Sequence, residues 1–91
     1  MIRMDGHDIW RDSSKIGWID GIYLHAHDGT KLGYFQDRFI FDLNGKKVAY
    51  IQGDYLYSAT GSDKVSLDKI SEQVTGGVIP DIAKCAIYTL F

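Results

Sequence analysis

Residues 21–36 read GIYLHAHDGTKLGYFQ, two short runs rich in aromatic and aliphatic side chains separated by Asp28-Gly29. Asp-Gly between apolar runs is a strong short-range hairpin signal, because Asp and Gly tolerate the positive φ of a tight type I′ turn. The same plan recurs on either side. Residues 6–20 read GHDIWRDSSKIGWID, residues 37–52 DRFIFDLNGKKVAYIQ and residues 53–68 GDYLYSATGSDKVSLD. Asn44-Gly45 and Thr60-Gly61 fall where Asp28-Gly29 does, and the first copy replaces them with a loop at Asp12-Ser13-Ser14. A repeat of about 16 residues with a turn at its middle and another at each junction predicts an eight-stranded antiparallel meander. The junction turns are expected at Asp20-Gly21, Gln36-Asp37 and Gln52-Gly53.

This register sorts the side chains. One face is expected to carry a row made only of aromatics: Trp18, Tyr23, Tyr34, Phe39, Tyr50 and Tyr55. Neighbours in such a row lie about 4.5–5.5 Å apart. Beside it run Trp10, Ile16, His25, Leu32, Phe41, Val48, Tyr57 and Lys64. The other face alternates large with small: Ile9, Gly17, Leu24, Gly33, Ile40, Ala49, Leu56 and Val65. Glycine weakens a strand, so Gly17 and Gly33 mark hollows that something fills, as in small closed β structures. Both faces are apolar. Each needs a cover: closure of the sheet, the C-terminal segment or another chain.

The repeat stops after Val65. Ser66 is a good N-cap, Asp68 suits a first helical turn, and Leu67, Ile70 and Val74 fit a short amphipathic helix ending at Gly76-Gly77. A second helix is expected from about Pro80, with an apolar stripe at Ile79, Ile82, Ala83, Ala86, Ile87 and Leu90. That stripe either packs on its own sheet or joins copies of the chain. The apolar run 78–91 is too short to span a bilayer, which takes roughly 20 residues.

Composition narrows the function. Of 91 residues, 45% are hydrophobic and 24% charged, a globular balance, and the net charge of −2 gives no basic field for nucleic acid. Cys85 is the single cysteine, so no internal disulfide exists. The opening residues MIRMDGHDIW contain no apolar run, so no signal peptide is expected and the cytoplasm is the expected location.

Chemistry-bearing residues are sparse. His25 and His27 form an H-x-H pair next to Asp28, and with His7 they would be nitrogen donors for zinc or copper. No third ligand is fixed by spacing, and His25 occupies the slot that Trp10, Phe41 and Tyr57 fill in the other copies, so no metal is assigned. Cys85 sits in an apolar helix and reads as a buried structural thiol. Asp42 beside Lys47 reads as a solvated cross-strand pair. No catalytic residue and no cofactor are assigned, since nucleotide and hydrolase motifs are missing. The aromatic row is the one surface suited to binding: such rings stack on sugars and cage quaternary amines, or form a core or subunit interface.

The units ending IGWIDG, LGYFQD, VAYIQG and VSLDKI, the turns Asp28-Gly29-Thr30-Lys31 and Asn44-Gly45-Lys46-Lys47, and an apolar tail after Gly-Gly resemble the bacterial four-fold beta-flower domain proteins. The resemblance implies a β-hairpin repeat module with no established activity, and it carries no catalytic residues. The Gly-Trp units are also similar to choline-binding cell-wall repeats, but those have a period of about 20 residues and Trp-Tyr-Tyr clusters that this sequence lacks.

The expectation is therefore a mainly β domain over residues 1–91. Four hairpin repeats at 6–65 would be barrel-like or a rosette, followed by one or two helices in 66–91. Its expected role is a non-enzymatic assembly or interaction module that self-associates, with Ile79, Ile82, Ala83, Ala86, Ile87 and Leu90 as the candidate subunit contact. Carbohydrate or quaternary-amine binding by the aromatic row is the alternative, and an enzyme comes third. Nucleic acid and a transmembrane segment are not expected.

Overall fold

A computed structural model describes residues 1–77 and 79–91; Val78, first of the apolar run 78–91, lies outside the described residues. The chain forms strands β1 (Ile2–Asp5), β2 (Asp8–Arg11), β3 (Ser14–Asp20), β4 (Tyr23–Ala26), β5 (Lys31–Gln36), β6 (Phe39–Asp42), β7 (Lys47–Gln52), β8 (Tyr55–Ser58) and β9 (Lys64–Ser66). Helix α1 (Leu67–Gln73), strand β10 (Val74–Thr75) and helix α2 (Asp81–Leu90) complete it. The strands form one sheet in the order β10-β1-β2-β3-β4-β5-β6-β7-β8-β9. The expected meander is strands β2 to β9. The sheet has ten strands, not eight, and it is open, not closed into a barrel.

The extra strand β1 belongs to the repeat. Ile2-Arg3-Met4-Asp5-Gly6 occupies the slots of Gly17-Trp18-Ile19-Asp20-Gly21. Arg3 pairs with Trp10 as Trp18 pairs with His25. Strand β10 then lies parallel to β1, with Ile2 opposite Val74.

The junction turns lie one residue later than expected. Asp20 is opposite Tyr23, Gln36 opposite Phe39 and Gln52 opposite Tyr55, leaving Gly21-Ile22, Asp37-Arg38 and Gly53-Asp54 as the two-residue loops. Gly21, Asp37 and Gly53 have φ of +62°, +56° and +61°, and their successors have negative φ. Positive φ at the first central residue is the type II′ pattern, whereas the expected register put glycine second. In the first copy the loop is Asp12-Ser13 alone, because Arg11 pairs with Ser14.

The mid-repeat turns also differ from type I′. Ala26 accepts from Gly29 N at 2.9 Å, Ala26 N donates to the Thr30 carbonyl at 2.8 Å, and positive φ falls on Gly29 but not Asp28. This is a three-residue loop with a glycine bulge. It spares Asp28 the left-handed conformation, which costs a non-glycine residue roughly 1–2 kcal/mol. The bulge moves Lys31, not Leu32, opposite His25, and the Asp42–Lys46 loop does the same to Lys47 and Phe41. Asp28 accepts from Thr30 N at 2.9 Å, and that hydrogen bond holds its carboxyl below the ordinary value.

The large-small face is the inner one. Ile9, Leu24 and Ile40 are wholly buried, with Ile19, Phe35, Ala49, Ile51 and Leu56 beside them. Helix α2 packs here, burying Ala83, Cys85, Ala86 and Ile87. The hollows receive its C-terminal end: a Cβ on Gly17 would lie 2.7 Å from Phe91 Cζ, and one on Gly33 3.0 Å from Leu90 Cδ1. Nine spacings between strands would span about 43 Å if the sheet were flat. The longest dimension of the molecule is 32 Å, so the sheet curls round α2 and its outer face is convex. Helix α1 starts at its Ser66 cap, whose Oγ accepts from Lys69 N at 3.2 Å. It ends at Gln73 and not at Gly76-Gly77, since Val74-Thr75 is drawn into the sheet. No helix among the described residues is long and apolar enough to cross a membrane.

Candidate functional site

Side chains alternate across a strand, so the positions next to the buried ones face outward. The outer face holds every residue of the expected aromatic row. Trp18, Tyr34, Phe39 and Tyr50 are half-buried there, and Tyr23 and Tyr55 are 39% and 38% exposed. The row is not continuous. Tyr23 lies opposite Tyr34 and Phe39 opposite Tyr50, as expected. The shifted junction turns then place Trp18 opposite His25, Tyr34 opposite Phe41 and Tyr50 opposite Tyr57, where Tyr23, Phe39 and Tyr55 were expected.

Three of these cross-strand pairs are stacked and equivalent by the repeat. Ring centroids are 5.1 Å apart for Trp18–His25, 4.8 Å for Tyr34–Phe41 and 5.4 Å for Tyr50–Tyr57, with planes 11°, 16° and 13° from parallel. The fourth slot holds Arg3 over Trp10 at 5.4 Å. Rings stacked between neighbouring strands stand on edge, so their rims point to solvent. Tyr34 is also flanked by Tyr23, tilted at 53° and 5.7 Å away.

The remaining rings are covered by lysines that recur with the repeat. Lys31 Nζ lies 4.4 Å from the centre of Tyr23, Lys47 Nζ 4.0 Å from Phe39 and Lys64 Nζ 4.5 Å from Tyr55. In the first copy the ring position is Asp8, and Lys15 pairs with its carboxylate at 2.9 Å. A ring and a carboxylate thus serve one purpose in equivalent places, holding an ammonium group by cation–π or direct charge attraction. Lys47 is therefore engaged by Phe39, and the Asp42 carboxylate, expected to meet it, accepts from Asn44 N and Lys46 N at 2.9 Å each.

The recurrent lysine was missed in the sequence. Its signal is present there as Lys15, Lys31, Lys47 and Lys64, at spacings of 16 to 17 residues.

Other candidate residues are scattered. His25 is packed on Trp18, His27 is exposed in a mid-repeat loop, and His7 is in the Gly6-His7 turn at the opposite ends of the strands. Among the described residues no group of three or more His, Cys, Asp or Glu is arranged to hold a metal. Burial pushes the Cys85 thiol up to about 12, with the Asp81 carboxylate adding to the effect, so Cys85 stays protonated and unreactive near neutral pH.

The stripe lies against its own sheet, one of the two uses expected for it: Ala83, Ala86 and Ile87 are fully buried within the chain, and Ile79, Ile82 and Leu90 are half-buried on the same core. A groove of about 930 Å³ opens at the rim between Asp37-Arg38, Gly53-Asp54 and the start of α2. It has an apolar floor of Ile51, Leu67 and Ile82, and no nucleophile–base pair lines it. No family model, curated protein or solved structure matches this chain.

Proposed function

We propose that this protein is a non-enzymatic assembly module whose working surface is the outer, aromatic face of the sheet. The observation that carries the reading is the use already made of the ring faces. Each stacked ring faces a neighbouring ring, and Tyr23, Phe39 and Tyr55 carry a lysine. What remains outward is a layer of ring edges, phenol hydroxyls and lysine stems. Such a layer packs against another protein surface, where Tyr and Trp are enriched.

The alternative of a sugar or quaternary-amine site on the aromatic row is weaker on the same grounds. A sugar needs a free ring face, and an added cation would meet the ammonium already there. A cytoplasmic location goes with this reading, since the single cysteine is a buried thiol. Kinship with the four-fold beta-flower proteins is part of the proposal and rests on the hairpin repeat alone.

Both tryptophans of the chain, Trp10 and Trp18, lie on the outer face, so intrinsic fluorescence reports on that face alone. Assembly through it predicts that acrylamide quenching is weak at high protein concentration and rises on dilution. Quenching that is strong at every concentration, with emission shifting on addition of sugars or choline, would support the ligand platform and sink the assembly reading.

A further inference from the structure

The inner face has small residues at equivalent places 16 residues apart, Gly17, Gly33 and Ala49, and the end of α2 fills the first two. Phe91 lies over Gly17 and Leu90 over Gly33. Helix α2 meets β4, β5 and β6. Helix α1 meets β9 at the far end of that strand, where Ser66 caps the helix. The inner side of β7 to β9 is therefore left uncovered at the end that carries the mid-repeat loops. A cavity of about 370 Å³ opens there. Its floor is Val48, Ala49, Leu56 and Val65, and its wall is Tyr88 and Thr89 of α2.

We infer that this third hollow is a binding site for a small, uncharged aromatic molecule of about the size of indole. The repeat itself shows what a small position on this face accommodates. Its two equivalents take a phenyl ring and an isobutyl group, each an apolar group of one side chain's size. The volume falls in the range of small-molecule sites, about 300–1,000 Å³, and such sites are concave and mostly apolar. This one lies on the inner, concave side of the curled sheet. A floor of aliphatic side chains holds a flat ring by dispersion and by exclusion of water, as apolar cavities take up benzene. The Tyr88 ring beside it adds an aromatic contact. The polar groups nearby are already engaged or in water. Ser58 Oγ lies 3.2 Å from Thr60 Oγ1 and accepts from Asp63 N at 3.3 Å. Lys64 Nζ is held over Tyr55 at 4.5 Å. Asp63 and Lys64 at the mouth are both exposed and opposite in charge, so neither fixes a charge on the ligand. The site is on the side of the sheet away from the rings assigned to assembly and does not rest on that assignment.

Titration of the full chain with indole, followed by NMR of the methyl groups, tests the site. The Ala49, Leu56 and Val65 methyl signals are expected to shift together and to saturate, with a dissociation constant of about 1 mM or tighter. The buried Ile9 and Ile19 methyls should stay in place. Val65→Phe fills the hollow from its floor and is expected to raise the dissociation constant at least about 10-fold, with circular dichroism unchanged. Thr89→Leu fills it from the helix wall and is expected to do the same, so the test survives if one variant does not fold. A titration with no saturable shift at these three residues would overturn the site. So would folded filling variants that bind indole as the wild type does. Binding that weakens as the protein concentration rises would show that a second copy fills the hollow, which overturns the small-molecule site as well.

Discussion

Gly17 and Gly33 set how closely the helix approaches the sheet. A Cβ at Gly33 would fall against the Phe41 carbonyl oxygen and within 3.0 Å of Leu90 Cδ1, on the floor of the contact between β5 and α2. The carbonyl is backbone and does not yield easily. Overpacking of this kind costs about 1–3 kcal/mol. Gly33→Ala is therefore expected to lower the unfolding free energy by that amount, seen as a lower urea midpoint, or to prevent folding. An unchanged midpoint would show that the helix end is not seated in the hollow. The hollows themselves were legible in the alternation of Leu24, Gly33, Ile40 and Ala49. Their occupants were not, because Leu90 and Phe91 lie more than 50 residues from Gly33 in sequence and only the folded chain brings them there.

Strand register was legible where a side-chain pattern repeats and lost where backbone conformation alone decides. Tyr23 opposite Tyr34 and Leu24 opposite Gly33 follow from the apolar runs. Whether glycine stands first or second in a two-residue turn does not, and that choice moved Trp18 from Tyr23 to His25. Strand β1 escaped notice because Arg3 stands in the slot of Trp18, where its guanidinium covers Trp10 instead of stacking a ring. Helix α2 was foreseen from its spacing, and Pro80 does precede its first residue. Its Cys85 makes a further test. The thiol's ordinary value is 9.0, and burial raises it to about 12 in the folded chain. The folded state thus keeps its proton where the unfolded chain loses it. The stability linked to Cys85 is whole below 9.0 and is lost as pH rises toward 12. Urea midpoints measured from pH 8 to 11 should fall more steeply for the wild type than for Cys85→Ala, since the tyrosines and lysines common to both cancel. Parallel slopes would mean the thiol is not buried.

The molecule as a whole divides its two apolar faces between two uses. The inner face is covered by α1 and α2 except at the Ala49 hollow, so the cover foreseen for it comes from the C-terminal segment. The helix stripe, expected either to do this or to bind another chain, is largely consumed in doing so. The outer face keeps its rings half-exposed, and we assign assembly to it. The aromatic identity of that face was legible from the hairpin repeat. The lysines laid over its rings were not, because their place depends on the glycine bulges that shift Lys31 and Lys47. Native mass measured by light scattering over a range of protein concentrations tests the assignment most directly. The account predicts a discrete species of at least twice 10.3 kDa that dissociates on dilution. A mass of 10.3 kDa that stays constant up to high concentration would contradict it.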